Sequence, residues 1–188
     1  TSFTISKLSN TLKSIDRGVS KSTALRYVNF LEETMFLNSL NLHTPSIKNR
    51  LKAERKTYFV DSFFVSRLSS AFSENLGRLL EQSVAQELAR RIYNHPNVNL
   101  FYWKDYQNHE VDFLLHGKEI SIFQICYSLD DIKTFEREKR ALIEAMKELK
   151  LQTSTIITYN QEDEIKIDEG KIKIIPAWKW LINKNLKS

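Results

Sequence analysis

Two short apolar runs, residues 109–115 and 122–126, constrain the fold more than any other part of this sequence. A short turn separates them, and polar residues stand at single positions within each run. This pattern predicts a hairpin of two buried strands. Asp112 lies near the middle of the first strand, where a carboxylate is costly unless a partner or a metal ion compensates its charge. The hairpin is therefore a candidate site as well as a core element.

Side chains on a strand alternate between the two faces of a sheet. Glu110 and Asp112 are accordingly predicted to share one face, and Val111, Phe113 and Leu115 the other. In the second strand the same alternation places Gln124 and Cys126 together, opposite Phe123 and Ile125.

The charge of the chain is unevenly distributed. The 188 residues have a formal net charge of +5, and 41% of them are hydrophobic, enough for a sizeable core. Residues 1–72 contain 11 Lys and Arg against 5 Asp and Glu, whereas residues 73–188 contain 17 against 18. The basic excess favours a polyanion-binding module in the N-terminal part, although a merely soluble basic surface explains the charge equally well.

Several classes of protein are disfavoured by composition. Cys126 is the only cysteine, so no intramolecular disulfide forms and a reducing, cytoplasmic location is expected. The sequence has no apolar run long enough for a membrane helix and no signal peptide. None of its 4 glycines belongs to a phosphate-binding loop, so no nucleotide site of that type is expected. The first residue is not Met, which suggests a fragment of a longer protein.

The N-terminal residues 1–68 have the pattern of a winged helix-turn-helix domain. Apolar residues at helical spacing predict a first helix over residues 5–15, and Arg17-Gly18 predicts a turn. Ser20 is the predicted N-cap of a second helix that runs to about Glu33. Strands over residues 36–42 and 57–60, joined by a basic loop, would form the wing.

A winged helix of this kind predicts two sets of DNA contacts. The first set lies at the start of the second helix and comprises Lys21, Ser22, Thr23 and Arg26. The second set would contact phosphates from the basic loop and comprises Lys48, Arg50 and Lys52. Helix capping explains Ser and Thr at a helix start equally well, and winged helices also serve as protein-contact modules.

Residues 69–188 predict one α/β domain in which helices flank a sheet. The order is a helical pattern from Phe63 to about Tyr93 that is interrupted near Ser73, three strands from residue 100 to 126, a helix over about 130–150, a strand, a hairpin over 164–175 and a closing helix after Pro176. Glu81 lies within the apolar stripe of the first of these helices. Its carboxylate is predicted either to reach a metal held by the sheet or to remain on the helix surface near Arg78 or Arg90.

The sequence resembles the C-terminal half of a large group of archaeal and bacterial AAA+ ATPases. The resemblance rests on Leu79-Leu80-Glu81-Gln82, Glu110-Val111-Asp112-Phe113, Gln124-Ile125-Cys126-Tyr127 and residues 175–180, and it covers essentially the whole chain. In that group a winged helix and a domain of unknown function follow the ATPase. The resemblance therefore implies an upstream AAA+ ATPase domain that is absent from this chain.

The C-terminal domain of that group is similar to the PD-(D/E)XK, or restriction-endonuclease-like, α/β/α fold. The resemblance implies a Mg²⁺ site made by Asp112 and Glu81, with Gln124 in place of the glutamate of the E-x-K triplet and Cys126 in place of its lysine. Lys104, on the preceding strand, is a candidate substitute for that lysine. Because a neutral thiol cannot replace an ammonium, these substitutions predict weakened metal binding and weakened stabilisation of the transition state.

Three functions are compatible with these patterns. The first is a DNA-associated module of an AAA+ ATPase whose nuclease-like site is degenerate. The second is a Mg²⁺-dependent endonuclease that uses Asp112, Glu81, Gln124 and Lys104. The third is a protein-interaction scaffold that contacts the ATPase or a second copy of itself.

Overall fold

The computed structural model describes residues 2–15, 19–68 and 76–183. The described chain is a mixed α/β structure with seven helices and nine strands. The predicted turn at Arg17-Gly18 lies outside the described residues. The predicted boundary between residues 68 and 69 falls at the edge of the segment 69–75, which is likewise outside them, so the division into two domains stays a prediction.

The N-terminal part contains the predicted helices and strands in the predicted order, together with a two-residue strand at its start and a short helix between the two predicted strands, neither of which was predicted. The elements are β1 (Ser2–Phe3), α1 (Ile5–Ile15), α2 (Lys21–Glu33), β2 (Leu37–Leu42), α3 (Ile47–Lys52), β3 (Arg55–Phe59) and α4 (Ser62–Leu68). Ser20 caps α2 as expected, because its side chain accepts a hydrogen bond from the backbone N–H of Thr23 at 3.1 Å. The segment expected to be a basic loop contains α3, which Ser46 caps in the same way.

The C-terminal elements also match the predicted order. They are α5 (Leu76–Ile92), β4 (Asn99–Lys104), β5 (Glu110–His116), β6 (Ile120–Ile125), α6 (Ile132–Leu149), β7 (Thr153–Thr158), β8 (Asp163–Ile167), β9 (Gly170–Pro176) and α7 (Ala177–Ile182). The hairpin of β5 and β6 is antiparallel, with Phe113 opposite Phe123.

All nine described strands form one sheet in the order β1-β3-β2-β4-β5-β6-β7-β9-β8. β2 and β3 pair as an antiparallel hairpin, as predicted. The hairpin does not project as a free wing, however, because β2 also pairs in parallel with β4, with Asn41 opposite Phe101. Residues of the N-terminal part are thereby placed beside the strands that hold the predicted acids.

The core consists of two apolar clusters, one on each face of the sheet. The first contains residues of α5 and α7 such as Leu88 and Trp180, and the second contains residues of α6 such as Leu142. Leu40 and Tyr58 of the N-terminal hairpin belong to the first cluster, so the hairpin packs beneath α5. On the opposite face Arg55 lies 3.7 Å from Glu32 of α2.

A β-bulge interrupts β5 at the candidate site. Trp103 pairs with Val111 while Phe101 pairs with Leu114, so β5 has one more residue than β4 over this stretch. Val111 therefore packs in the α6-side cluster, whereas Phe113 and Leu115 pack in the α5-side cluster. The prediction that these three side chains share a face was wrong, because strict alternation ends at the bulge.

Candidate functional site

The ammonium of Lys56 lies at the centre of a group of acidic side chains. Lys56 is 7% exposed and belongs to β3, where it shares with Tyr58 the face that α5 covers. Its Nζ lies 2.7 Å from Asp112 Oδ1, 2.7 Å from Glu110 Oε1 and 3.7 Å from Glu81 Oε1. We call Lys56, Tyr58, Glu81, Glu110 and Asp112 the Lys56 cluster.

Tyr58 connects the hairpin to α5 within this cluster. Its hydroxyl donates a hydrogen bond to Glu81 Oε1 at 2.6 Å. Burial, and then the neighbouring Asp112, raise the pKa of the Glu81 carboxyl above its ordinary value. Burial raises the pKa of the Tyr58 hydroxyl well above its ordinary value, and the charge of Glu81 adds to the effect. Tyr58 therefore remains a proton donor throughout the physiological range.

The carboxylates keep Lys56 charged although it is buried. Burial alone lowers the pKa of the Lys56 ammonium, but Asp112, Glu81 and Glu110 together raise it well above its ordinary value. The reciprocal effect appears at Glu110, where burial raises the pKa of the carboxyl but the charge of Lys56 outweighs it and lowers the pKa. The cluster is thus a buried ion network with one ammonium at its centre.

Asp112 is fixed by the end of the β5–β6 ladder. Its Oδ2 accepts a hydrogen bond from the backbone N–H of Ile125 at 2.9 Å. In return, Gln124 Oε1 accepts from the backbone N–H of Asp112 at 3.1 Å. This reciprocal pair satisfies two backbone donors beyond the last ladder pair and directs Oδ1 of Asp112 toward Lys56.

Gln124 also belongs to a second group of polar residues. Its Nε2 donates to the buried carboxylate of Glu138, on α6. Arg137 donates to the other oxygen of the same carboxylate, with Nε at 3.0 Å. We call Gln124, Arg137 and Glu138 the Glu138 cluster.

Cys126 lies in the α6-side apolar cluster, with Sγ 3.0 Å from the carbonyl oxygen of Ser128. Burial, and then the charge of Glu138, raise the pKa of its thiol to about 11. The side chain is neutral at physiological pH and contributes as a small buried apolar residue.

The structure brings three of the predicted site residues together. Glu81 and Asp112 both contact Lys56, and Gln124 contacts Asp112. Lys104, the predicted substitute for the missing lysine, is instead paired with Glu110, with Nζ 3.3 Å from Oε2. The cation beside Asp112 is Lys56, which none of the sequence patterns indicated as a site residue.

The predicted Mg²⁺ does not fit these residues as they are arranged. Carboxylate oxygens are suitable ligands for a hard cation, but those of the Lys56 cluster are directed at an ammonium. Consistently, no group of three or more His, Cys, Asp or Glu suited to holding a metal ion occurs within the described ranges.

The predicted DNA-contacting residues fall into two groups by exposure. Lys21, Ser22 and Arg26 are exposed on α2, while Thr23 is half-buried, with its hydroxyl 2.9 Å from that of Ser20. The hydroxyl of Ser22 lies 2.8 Å from the same Ser20 hydroxyl, so both side chains belong to the hydrogen-bonded N-terminus of α2.

On α3, Lys48 and Lys52 are exposed, whereas Arg50 is half-buried. Arg50 Nη2 donates to the carbonyl oxygen of Thr44 at 2.8 Å, and the guanidinium lies 5.7 Å from the ring centre of Phe101. These contacts hold α3 against the sheet. None of the described helices combines the length and the apolar character that crossing a lipid bilayer requires.

Two family models match the chain. One, a domain of unknown function named DUF4143, matches residues 76–180, which contain α5 to β9 and most of α7. The other, a domain of unknown function named DUF8612, matches residues 1–75.

Among curated proteins, the uncharacterized protein MJ1544 of Methanocaldococcus jannaschii is 37% identical over 184 residues. That match covers 95% of this chain but 40% of the relative, so the chain spans less than half of that protein's length. A solved structure described as a half-complex of Thermococcus gammatolerans McrB AAA+ hexamers with bound McrC is 13% identical, with a TM-score of 0.36. That likeness covers 54% of this chain and 27% of the solved chain.

Proposed function

This chain belongs to the DUF4143 family of domains of unknown function, and we propose that it is a DNA-holding module of an AAA+ ATPase that does not cleave its ligand. The observation that carries the proposal is the position of the Lys56 ammonium, 2.7 Å from both Asp112 and Glu110. In this arrangement the chain's own cation takes the central position among three acids and offsets part of their charge.

An internal ammonium differs from a metal ion in its chemistry. Mg²⁺ polarises a phosphate oxygen and lowers the pKa of a bound water, which makes the water a nucleophile at neutral pH. The Lys56 ammonium donates to, or pairs with, the carboxylates of Glu81, Glu110 and Asp112. Unlike a metal ion, an ammonium does not coordinate a water molecule and so does not activate it for attack. Charge neutralisation without water activation supports binding rather than cleavage.

Exposed basic residues support contact with DNA. Lys21 and Arg26 on α2 and Lys48 and Lys52 on α3 present their side chains to solvent. They belong to residues 1–72, which contain the basic excess of the chain. Phosphate contacts of this type supply most of the affinity of non-specific binding to DNA.

The AAA+ connection rests on the sequence resemblance. The residues that carry it, including Glu81, Asp112 and Gln124, are those that meet at the candidate site. The M. jannaschii relative is long enough to hold a further domain outside the matched part, since the match covers 40% of it. In this proposal the ATPase supplies the energy and the present chain holds the DNA.

A Mg²⁺-dependent endonuclease is the second candidate function. It is favoured by an open pocket of about 320 Å³ whose lining includes Glu81, Asp112, Gln124 and Glu138. A nuclease built on this pocket would require Lys56 to leave the carboxylates, or to act beside them as the missing lysine.

DNA binding and cleavage measured in the same samples test the proposal. Labelled duplex and single-stranded DNA would be titrated with the protein at several salt concentrations, and plasmid cleavage would be followed with Mg²⁺ or Mn²⁺. We expect binding without divalent metal, a steep loss of affinity with salt, and no cleavage.

Charge-matched variants make the test specific. The double substitution Lys21→Glu and Arg26→Glu should abolish or greatly weaken binding. Lys118→Glu with Lys133→Glu changes the charge equally at two exposed lysines elsewhere and should retain more of the affinity. Metal-dependent cleavage that disappears in Asp112→Ala would establish the nuclease instead. Neither binding nor cleavage would favour the interaction scaffold.

A further inference from the structure

The turn between β4 and β5 presents one aromatic ring to solvent. Tyr106 is 90% exposed, and its neighbours hold the turn in a defined shape. Asp105 Oδ1 accepts from the backbone N–H groups of Gln107 and His109, each at 2.8 Å, and Asp105 Oδ2 lies 2.7 Å from His109 Nδ1. Asn108 takes a left-handed conformation with φ of 68°, which Asn tolerates well.

A ring held outward on a fixed turn is suited to binding. A large aromatic side chain that is exposed contributes little to the stability of the fold, because it buries little surface. It can supply contact area to a ligand at a small cost in conformational entropy. The turn is already ordered by Asp105, so binding need not order it.

A cleft of mixed charge lies beside this ring, with three lysines and the acids Glu54, Asp105 and Glu110 in its lining. Its volume is about 430 Å³, and its lining includes Tyr106, Tyr102 and three lysines, Lys52, Lys56 and Lys104. Lys52 is exposed at the end of α3, and within the described ranges no ion pair of Lys52 is found. Lys104 is one-third exposed and pairs with Glu110 through one side of its ammonium.

The acids of the cleft are largely engaged by other groups. Asp105 is bonded to the turn and to His109, and Glu110 is shared by Lys56 and Lys104. Glu54 also lines the cleft, and the hydroxyl of Tyr102 donates to its backbone carbonyl at 2.6 Å. Burial, and then the charges of Glu110 and Glu54, raise the pKa of Tyr102, so the Glu54 carboxylate acts on this side chain. A phosphate at the open side of the cleft would lie beside the exposed ammonium of Lys52 and the partly exposed ammonium of Lys104, with the Glu54 carboxylate as the neighbouring acid.

We infer that this cleft and turn hold an unpaired strand of nucleic acid, with a base stacked on Tyr106 and its phosphate beside Lys52 and Lys104. The inference rests on the proposed function and specifies that this part of the molecule binds single-stranded DNA. Only an unpaired base exposes a face on which a ring of this kind stacks freely, because bases within a duplex already stack on each other. Lysines beside an aromatic ring are a combination suited to a single strand, since the lysines bind its backbone and the ring binds a base.

Anisotropy titrations with a labelled single strand and with the matching duplex test this inference. Tyr106→Ala should weaken single-strand binding about tenfold and leave duplex binding nearly unchanged. Tyr106→Phe keeps the ring and should bind the single strand within about twofold of the wild type. Because the side chain is exposed, thermal unfolding of both variants should match the wild type.

The contribution of Lys52 to binding the single strand is measured by the salt dependence of the affinity. Lys52→Gln should weaken binding of the single strand and reduce the slope of log affinity against log salt by about one. Lys133→Gln, a substitution at an exposed lysine on α6, is the matched control and should leave the slope unchanged.

The outcomes separate this inference from the proposed function. Binding of single-stranded DNA that Tyr106→Ala leaves intact would overturn the inference while the DNA-holding function stands. Equal losses for single strand and duplex in Tyr106→Ala would also overturn it, because stacking on an unpaired base would then not explain the contact. Absence of binding to either form would overturn both.

Discussion

The Lys56 cluster and the Glu138 cluster meet at the same two strands but neutralise buried charge in opposite ways. In the Lys56 cluster the cation is buried: the side chain of Lys56 is 9% exposed and is surrounded by carboxylates. In the Glu138 cluster the anion is buried, with its side chain 8% exposed, while its partner Arg137 is 72% exposed. Asp112 and Gln124 connect the two clusters through one hydrogen bond.

This difference determines how much each cluster contributes to the stability of the fold. Water can take the place of an exposed guanidinium, so the pair of Arg137 and Glu138 resembles a surface ion pair in energy. No such replacement is available for an ammonium enclosed by three carboxylates. Its loss leaves the buried carboxylate of Asp112 without the cation beside it, and leaves Asp112 and Glu81 as neighbouring like charges. Because Lys56 and Tyr58 belong to β3, the Lys56 cluster also attaches the N-terminal hairpin to α5 and β5.

The largest effect is expected for Lys56→Met, which removes the ammonium and retains most of the side-chain volume. Stability should fall by about 3–5 kcal/mol, the usual consequence of breaking a buried ion pair from one side. Urea unfolding followed by circular dichroism measures the change. Lys52→Met, at an exposed position, is the control. Equal stabilities of the two variants would show that the ion pairs of Lys56 do not stabilise the fold.

A smaller loss is expected for Tyr58→Phe. The substitution removes the hydroxyl that donates to Glu81 at 2.6 Å but keeps the packed ring. Because hydrogen bonds to charged groups contribute more than neutral ones, stability should fall by about 1–2 kcal/mol. Tyr27→Phe, at a residue that is 54% exposed, provides the control in the same unfolding experiment and should have almost no effect.

The pairing of Glu110 with Lys56 predicts a dependence on pH. The folded pKa of Glu110 is lowered, so its contribution to stability is complete above the ordinary value of 4.5 and is lost as the pH falls through the folded pKa. The stability difference between wild type and Glu110→Gln should accordingly be about 1 kcal/mol near neutrality and shrink on acidification. A difference that grows toward low pH would contradict the assigned pairing.

The smallest effect is expected in the Glu138 cluster. Arg137→Gln should lower stability by about 0.5 kcal/mol, since solvent reaches the carboxylate when the exposed guanidinium is removed. Salt should diminish the effect further. If Arg137→Gln destabilised the protein as much as Lys56→Met, the contrast between the two clusters would be wrong.

The order of elements could be predicted because it depends on local patterns. Periodic apolar residues, the Ser20 cap and the turn residues define α1, α2, α5, α6 and most strands within a few positions. The family motifs predicted that Glu81, Asp112 and Gln124 belong to one site, and these residues contact Lys56 or each other in the structure.

The features that were missed depend on pairing between distant segments. The parallel pairing of β2 with β4 places Lys56 beside Asp112, although 56 positions separate them in the sequence. The bulge at Asp112 arises from the register of β4 against β5, which alternation within β5 does not reveal. The shared face of Lys56 and Tyr58 was the available signal, since a lysine on the buried face of a strand requires anionic partners.

Titration of the wild-type protein with Mn²⁺, followed by the electron paramagnetic resonance signal of the free ion, tests the central claim most directly. If the Lys56 ammonium fills the cation position among Glu81, Glu110 and Asp112, the protein should take up no Mn²⁺ saturably at this site and should bind DNA equally with or without the ion. Uptake of one Mn²⁺ per chain that Glu81→Gln or Asp112→Asn abolishes would contradict the claim.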